Sequence, residues 1–203
     1  MSAQAAGTLY APMESRTVSA APLPMVRRTP RGRLRWYMAQ VPEGMEDTTA
    51  RKLLRILPES VLASAFAMRK ERLIKLHGVW KREIAPAFPG YFFLSSADAP
   101  SLYKALSTLS FHVRMAGDGE RAWAPVPDEA MAWYLGAVDS TGVIRTSVAN
   151  IVNGELRAES GPLVGSEHLV ERIDRHKCKC WLRLPDGGAG FTELIYVEIP
   201  SKS

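Results

Sequence analysis

The side chains of this 203-residue chain best suited to covalent or metal chemistry are two cysteines, Cys178 and Cys180, and four histidines, His77, His112, His168 and His176. Two cysteines one residue apart cannot build a disulfide framework. With His176 close by they offer three metal-ligand types, but the same spacing also suits two strand residues filling a small core. None of the histidines has a nucleophile at a spacing that suggests a catalytic pair. The carboxylates are dispersed, and no glycine-rich phosphate loop is present. The expectation is a protein that binds rather than catalyses, with no catalytic residues, no metal and no cofactor.

Two segments carry chemistry suited to binding. The first is Phe88-Pro89-Gly90-Tyr91-Phe92-Phe93-Leu94. Read as a strand, it sends Phe88, Gly90 and Phe92 to one face and Pro89, Tyr91 and Phe93 to the other. A half-exposed sheet would carry polar residues on its outer face. Here both faces are apolar, so the strand is either covered on both sides or exposes an aromatic patch to a partner. The second segment is Cys178–Leu184. Its even positions, Cys178, Cys180, Leu182 and Leu184, read as a core face. Its odd positions, Lys177, Lys179, Trp181 and Arg183, place three cations around an indole, beside Arg175 and His176. Cations pair with phosphates while an aromatic ring stacks on a nucleotide. The alternative is a solvated strand face with a lysine stem lying over Trp181.

The net charge of +5 and pI of 9.4 do not decide between these readings. Residues 1–35 hold six arginines against Glu14, which accounts for the whole excess; the rest of the chain has 20 basic and 20 acidic side chains. Over 148–203 there are seven basic and eight acidic residues, so a nucleic-acid site there must be local. No apolar run approaches the ~20 residues of a membrane helix, and the N-terminus lacks the pattern of a secretory signal. The expectation is a cytoplasmic, monomeric protein with no membrane partner.

The elements that must position these residues follow from periodicity. Residues 1–34, rich in Ala, Pro, Ser and Arg, read as a disordered basic tail. Arg35–Gln40 reads as a strand. A helix capped at Asp47 or Thr48 then carries Ala50, Leu53, Leu54 and Leu57 on one face and ends at Pro58. Its other face bears Arg51, Lys52 and Arg55, a solvated face or a weaker nucleic-acid contact. Residues 65–85 alternate as strands around a His77-Gly78 turn. A helix from Asp98 uses Leu102, Leu106 and Leu109, and Phe111–Met115 reads as a strand. A third helix near Pro127-Asp128 carries Met131, Tyr134, Leu135 and Val138. The order β-α-β-β-β-α-β-α predicts an α+β layer domain over 35–138, an antiparallel sheet with flanking helices. Residues 139–147 have linker composition. Five short strands follow over 148–203, namely Val148–Val152, Glu155–Ser160, Leu169–Asp174, Cys178–Leu184 and Glu193–Ile199, which suits a small closed barrel.

With the elements placed, a resemblance emerges. Trp36-Tyr37, then Phe88-Pro89-Gly90-Tyr91-Phe92-Phe93, then Ala124-Pro125-Val126-Pro127 resemble the signature of NusG N-terminal (NGN) domains, a ferredoxin/RNP-like fold. Gly161-Pro162-Leu163-Val164-Gly165, leading to Ile173-Asp174, resembles the KOW motif that begins the family's SH3-like barrel. Ile173-Asp174-Arg175-His176-Lys177 looks most like the LoaP-type specialised antiterminators. One departure is His168, where the KOW pattern has a glycine; a family glycine often marks a positive φ or a close approach. The resemblance implies a transcription elongation factor that binds the RNA polymerase clamp and promotes processive antitermination at specific operons. Met38, Tyr91, Phe93 and Met115 align with apolar positions of the polymerase-binding surface, with Phe88 and Pro89 at its edge. The barrel would contact an RNA hairpin or other nucleic-acid element, a ribosomal protein or the termination factor Rho. The alternatives are a housekeeping factor acting at all transcribed genes and, in a different class, an RNA-binding module of translation or ribosome assembly.

Overall fold

The computed structural model describes residues 33–117, 124–185 and 191–200. The tail expected to be disordered lies almost wholly outside the described residues, as does the Asp186-Gly187-Gly188 break. The chain runs β1 (Arg35–Gln40), α1 (Glu46–Ile56), β2 (Ser64–Phe66), β3 (Arg69–Leu76), β4 (Val79–Pro86), β5 (Tyr91–Ser96), α2 (Ala99–Ser107), β6 (Arg114–Met115), α3 (Asp128–Ala137), β7 (Val143–Ile144), β8 (Ser147–Val152), β9 (Glu155–Ser160), β10 (Val170–Asp174), β11 (Lys179–Leu184) and β12 (Phe191–Glu198). Among the described residues no helix is long and apolar enough to cross a membrane.

The first half is α+β, but its strands form two sheets rather than the single one expected. One is antiparallel, in the order β2-β5-β1-β6. The other, β4-β3-β7, is built on the β3–β4 hairpin. The hairpin turn is His77-Gly78, with φ of 49° and 82°. Positive φ at both central residues is the geometry that matches the twist of a two-residue hairpin. On one face of the four-stranded sheet, Leu53 of α1 and Leu102 and Leu106 of α2 form a core with Tyr37, Ala39, Phe92 and Leu94. α2 begins where sequence places it: Asp98 accepts the Ser101 N–H at 3.0 Å and the Ser101 hydroxyl at 2.7 Å. α1 begins earlier than expected, at Glu46, with no side-chain cap from Asp47 or Thr48. The Glu46 carboxylate is instead buried and accepts the Gly90 N–H at 2.6 Å, so a tertiary contact fixes the start of the helix.

Two expected strands are shorter than their composition suggests. Only Arg114–Met115 of the 111–115 segment pairs with β1. Phe88–Gly90 is a turn, closed by Tyr91 N–H to the Phe88 carbonyl at 3.0 Å, with Gly90 at φ 77°. The alternation read across Phe88–Leu94 therefore starts only at Tyr91.

The segment 139–147 is not a free linker. Asp139 Oδ1 accepts N–H bonds from Thr141 (2.8 Å) and Val143 (3.1 Å) and the Thr141 hydroxyl at 2.6 Å, while Arg145 Nε reaches Oδ2 at 2.5 Å. This Asx-type turn delivers Val143 and Ile144 to pair in parallel with Arg69 and Lys70 of β3. The remaining strands form a five-stranded sheet, β10-β11-β12-β8-β9, in which β12 and β8 pair in parallel. Among the described residues its two edges, β9 and β10, are not paired with each other. The single-turn 3-10 helix Glu167–Leu169 lies against β9 and β11, so among the described residues the expected barrel is not closed by strand pairing between its edges. His168 sits in that turn and is not among the positive-φ residues; Gly165, three residues earlier, carries φ 77°. The departure from the glycine pattern is therefore unstrained.

Candidate functional site

Strand pairing builds an aromatic row on the sheet face away from α1 and α2. Phe66 of β2 lies opposite Phe93 of β5, which lies opposite Met38 of β1. Trp36 meets Phe66 edge-on at 5.5 Å, and Phe66 stacks on Phe93 at 5.6 Å. The Phe88–Gly90 turn brings Phe88 back onto the same face, 5.6 Å from Phe93 and 5.6 Å from Tyr134 of α3. That corrects the face assigned to Phe88 from alternation, because the residue is not in the strand. Tyr91 shares the parity of Phe93 and is half-buried; Pro89 is exposed. Met115 does not belong to this face. It pairs with Ala39, one residue out of phase with Met38, and is buried in the helix-side core.

The aromatic face is not open to solvent. Phe93 is 1% exposed and Tyr134 is 2% exposed. Over them lie Met131 and Tyr134 of α3, then Cys180, Leu182, Leu184, Ile195 and Val197 of the C-terminal sheet, in one continuous core. Tyr134 stacks on Phe191 of β12 at 6.5 Å. The expected exposed patch is thus a buried interface between the two halves of the chain. The strand is covered on both sides, by helices on one and by α3 with the C-terminal sheet on the other.

A polar network crosses that interface. Glu193 of β12 binds the Lys70 ammonium of β3 through Oε1 and accepts the Tyr134 hydroxyl through Oε2 at 2.6 Å. Lys70 also donates to the Leu194 carbonyl at 2.6 Å. Lys70 and Glu193 are both buried. Burial, then the charge of Glu193 and its hydrogen bond, push the Tyr134 phenol upward, so it stays a proton donor to the carboxylate. At the periphery Arg82 of β4 pairs with Glu198 of β12 at 2.6 Å, and Arg145 bridges Asp139 and Glu71.

The cationic residues are less concentrated than their strand alternation suggests. Cys180, Leu182 and Leu184 are fully buried, as a core face requires. Burial pushes the Cys180 thiol up to about 12, which keeps it protonated at neutral pH. Cys178 lies outside β11, at φ 52°, and closes the turn that begins at Arg175. On the odd face Trp181 is covered by the Arg172 guanidinium, 4.7 Å from the ring, rather than by a lysine stem. Arg183 pairs with Glu171. Lys179 is half-buried, while Arg175, His176 and Lys177 form an exposed turn in which Lys177 lies 3.9 Å from Asp174. On α1, Arg51 and Arg55 are exposed and Lys52 sits 3.7 Å over the Phe111 ring. Among the described residues no group of three His, Cys, Asp or Glu is placed to hold a metal ion.

Reasoning from sequence missed Phe66, Lys70, Tyr134 and Glu193 as members of one site. The α3 periodicity could have found Tyr134. Nothing local marks Lys70 or Glu193, which are 123 residues apart.

No protein-family model matches the chain, and no curated protein matches it. Among solved structures the chain is similar to one described as "Domain interaction in Thermotoga maritima NusG", with 14% identity and a TM-score of 0.41 over 81% of this chain and 94% of that one.

Proposed function

We propose that this chain is a non-enzymatic, RNA polymerase-binding elongation factor of NusG type. Within that class we read it as a specialised factor that promotes antitermination at particular operons. The observation that carries the reading is the apolar row Trp36, Met38, Phe66 and Phe93, continuous over three strands and covered by the C-terminal sheet together with α3. A cover that includes a buried ion pair can rehydrate its polar groups when it separates, which favours a reversible contact over a permanent core. The ordered motifs around Trp36-Tyr37, Phe88–Phe93, Ala124–Pro127 and Gly161–Gly165 support the same class.

In the proposed mechanism the factor rests closed. When the C-terminal sheet moves off, Met38, Tyr91 and Phe93, with Phe88 and Pro89 at the edge, meet the polymerase clamp. Tighter binding to a closed clamp than to an open one shifts the enzyme away from paused states by that differential affinity. The released sheet is then free for a protein partner, while an RNA element would be met through Arg175, His176 and Lys177, which are exposed already in the docked state. The α1 cations Arg51, Lys52 and Arg55 would lie beside nucleic acid.

Tyr91 tests this reading because it is only half-buried, so its truncation leaves the core intact. A Tyr91→Ala variant is expected to fold and to lose about 2 kcal/mol of affinity for RNA polymerase, roughly 30-fold. Undiminished binding by the folded variant removes the site. Chromosome occupancy restricted to a few long operons supports the specialised factor; occupancy at all transcribed genes supports a general one.

A further inference from the structure

Docking brings together two cationic elements that lie about a hundred residues apart in sequence. In the β3–β4 hairpin, Leu73 lies opposite Arg82 and Lys75 opposite Trp80, so these four share one face. That face meets the end of β12: Leu73 is buried, and Arg82 pairs with Glu198. The same end of β12 holds the Arg175–Cys178 turn, through Val197 N–H to the Cys178 carbonyl at 3.0 Å. The Cys178 thiol is pushed up by burial and by the charges of Glu198 and Asp174, with Lys75 pulling the other way, as expected if the Lys75 ammonium lies beside the turn.

The charges at this junction do not cancel. Glu198 and Asp174 are its nearby carboxylates, and each already has a cation, Arg82 at 2.6 Å and Lys177 at 3.9 Å. Among the described residues Arg175 has no ion-pair partner, and it is exposed, as are His176 and Lys177. Lys75 is exposed too, its ammonium 5.8 Å from the Trp80 ring. An indole with a cation over one face of its ring, on the hairpin face that meets the β12 end holding a turn with two further cations and a histidine, is a set of groups suited to a sugar-phosphate backbone with a base against the ring's free face.

We propose that the docked halves form one RNA-binding ledge, in which Lys75 and Trp80 of the hairpin act together with Arg175, His176 and Lys177 of the turn on the backbone of an RNA hairpin. This rests on the RNA contact read above for the turn and adds a second half to it. RNA that touches both elements binds the docked state more tightly than the open one. By linkage it holds the protein closed, so RNA and polymerase oppose each other's binding.

The test uses the full chain and a short RNA hairpin, with affinity measured across a salt series. Lys75→Ala is expected to weaken binding and to flatten the log–log salt slope by about 0.7–0.9. Arg175→Ala/Lys177→Ala flattens it by about twice that. Trp80→Ala weakens binding with little change in slope. In a Lys70→Met background that hydrogen exchange shows to be undocked, the added effect of Lys75→Ala is expected to disappear. If Lys75→Ala is silent while the turn variants flatten the slope, the ledge is wrong and RNA binds the turn alone. If Lys75→Ala acts equally in the undocked background, the two elements do not act jointly and the ledge is again wrong. Should the unaltered chain ignore the RNA even at low salt, the RNA reading of the turn fails, and the ledge with it. Tighter binding to a DNA duplex of matching sequence overturns the assignment to RNA.

Discussion

Replacing Glu193 with Ala removes the buried carboxylate through which β12 holds both Lys70 and Tyr134 of the first half. The Lys70 ammonium then keeps only the Leu194 carbonyl at 2.6 Å, and the Tyr134 hydroxyl loses its acceptor. Breaking a buried ion pair by deleting one partner costs about 3–5 kcal/mol, because the remaining charge stays desolvated. Here the molecule can relieve that cost by separating the halves and rehydrating Lys70. At about 1.4 kcal/mol per decade, the ratio of docked to undocked protein falls by roughly 100- to 4,000-fold. The loss should therefore appear as opening rather than as global unfolding. Amide hydrogen exchange reads it directly. Protection is expected to drop in α3 and along the outer part of β12, while the α1–α2 side of the first sheet, whose core lies on the other face, keeps its protection. Lys70→Met acts in the same direction by leaving Glu193 without its cation. The double variant Lys70→Met/Glu193→Leu replaces the pair with apolar groups of similar size and is expected to dock again, since such replacements are often neutral or stabilising. RNA polymerase affinity should rise in the single variants and fall back in the double. Single variants with unchanged exchange, or a double variant as open as the sum of its parts, would refute the argument that this pair governs docking.

Asp139 gives a pH signature. Burial opposes its ionisation, but hydrogen bonds from Thr141, Arg145 and Val143 outweigh that and hold its carboxyl at about 2, against an ordinary value of 3.8. A depressed carboxyl contributes stability that is fully present above the ordinary value and is lost as pH falls through about 2, so Asp139→Asn should cost about 2 kcal/mol at pH 7 and little at pH 2, as measured by denaturant unfolding. An equal cost at both pH values would show that the turn does not depend on the charge. Phe93→Ala, in contrast to Tyr91→Ala, should destabilise the whole fold by about 3–5 kcal/mol, since it opens a cavity in the core shared by both halves; a thermal melt shows it. Gly161→Ala should also be strongly destabilising, because at φ 83° an added Cβ would stand 2.7 Å from the Ser147 Cα, and a melt within a degree or two of the parent would contradict that geometry.

The helices, the His77-Gly78 hairpin and the strands of the C-terminal sheet were legible because each is specified locally. Apolar residues repeat at helical or alternating spacing, and Asn153-Gly154, Gly161 and Gly165 punctuate the strands at positive φ. Three features were not legible, each for a physical reason. Asp139-Ser140-Thr141-Gly142 has the composition of a linker, but the same composition makes an Asx turn when the following residues find a strand edge to join, and β3 supplies one. Phe88-Pro89-Gly90 reads as the start of a strand because aromatic residues favour strands. Gly90, whose N–H is held by Glu46 from 44 residues away, makes it a turn. Met115 was assigned to the aromatic face by resemblance, and the register with Ala39 places it on the other; alternation in a two-residue strand gives no parity to read.

The apolar character of Tyr91, Phe92 and Phe93 on both faces of β5 fits the observed burial on both sides and is what the proposed two-state use of the sheet would require. Phe92 answers only to the helix-side core, and the sequence there needs one solution. Phe93 lies in the core shared with the C-terminal sheet and on the face proposed to meet the polymerase, so one ring has to suit two covers. A face adapted to two covers cannot carry the polar residues that would mark it as solvent-exposed, and in sequence it looks permanently buried. Selectivity between the covers then falls to polar groups that belong to only one of them. Glu193 is such a group: it is supplied by β12 and engages Lys70 and Tyr134 only when the C-terminal sheet is in place. In the proposed scheme aromatic packing would provide most of the affinity in either state, and the Glu193 network would distinguish the closed state from the open one.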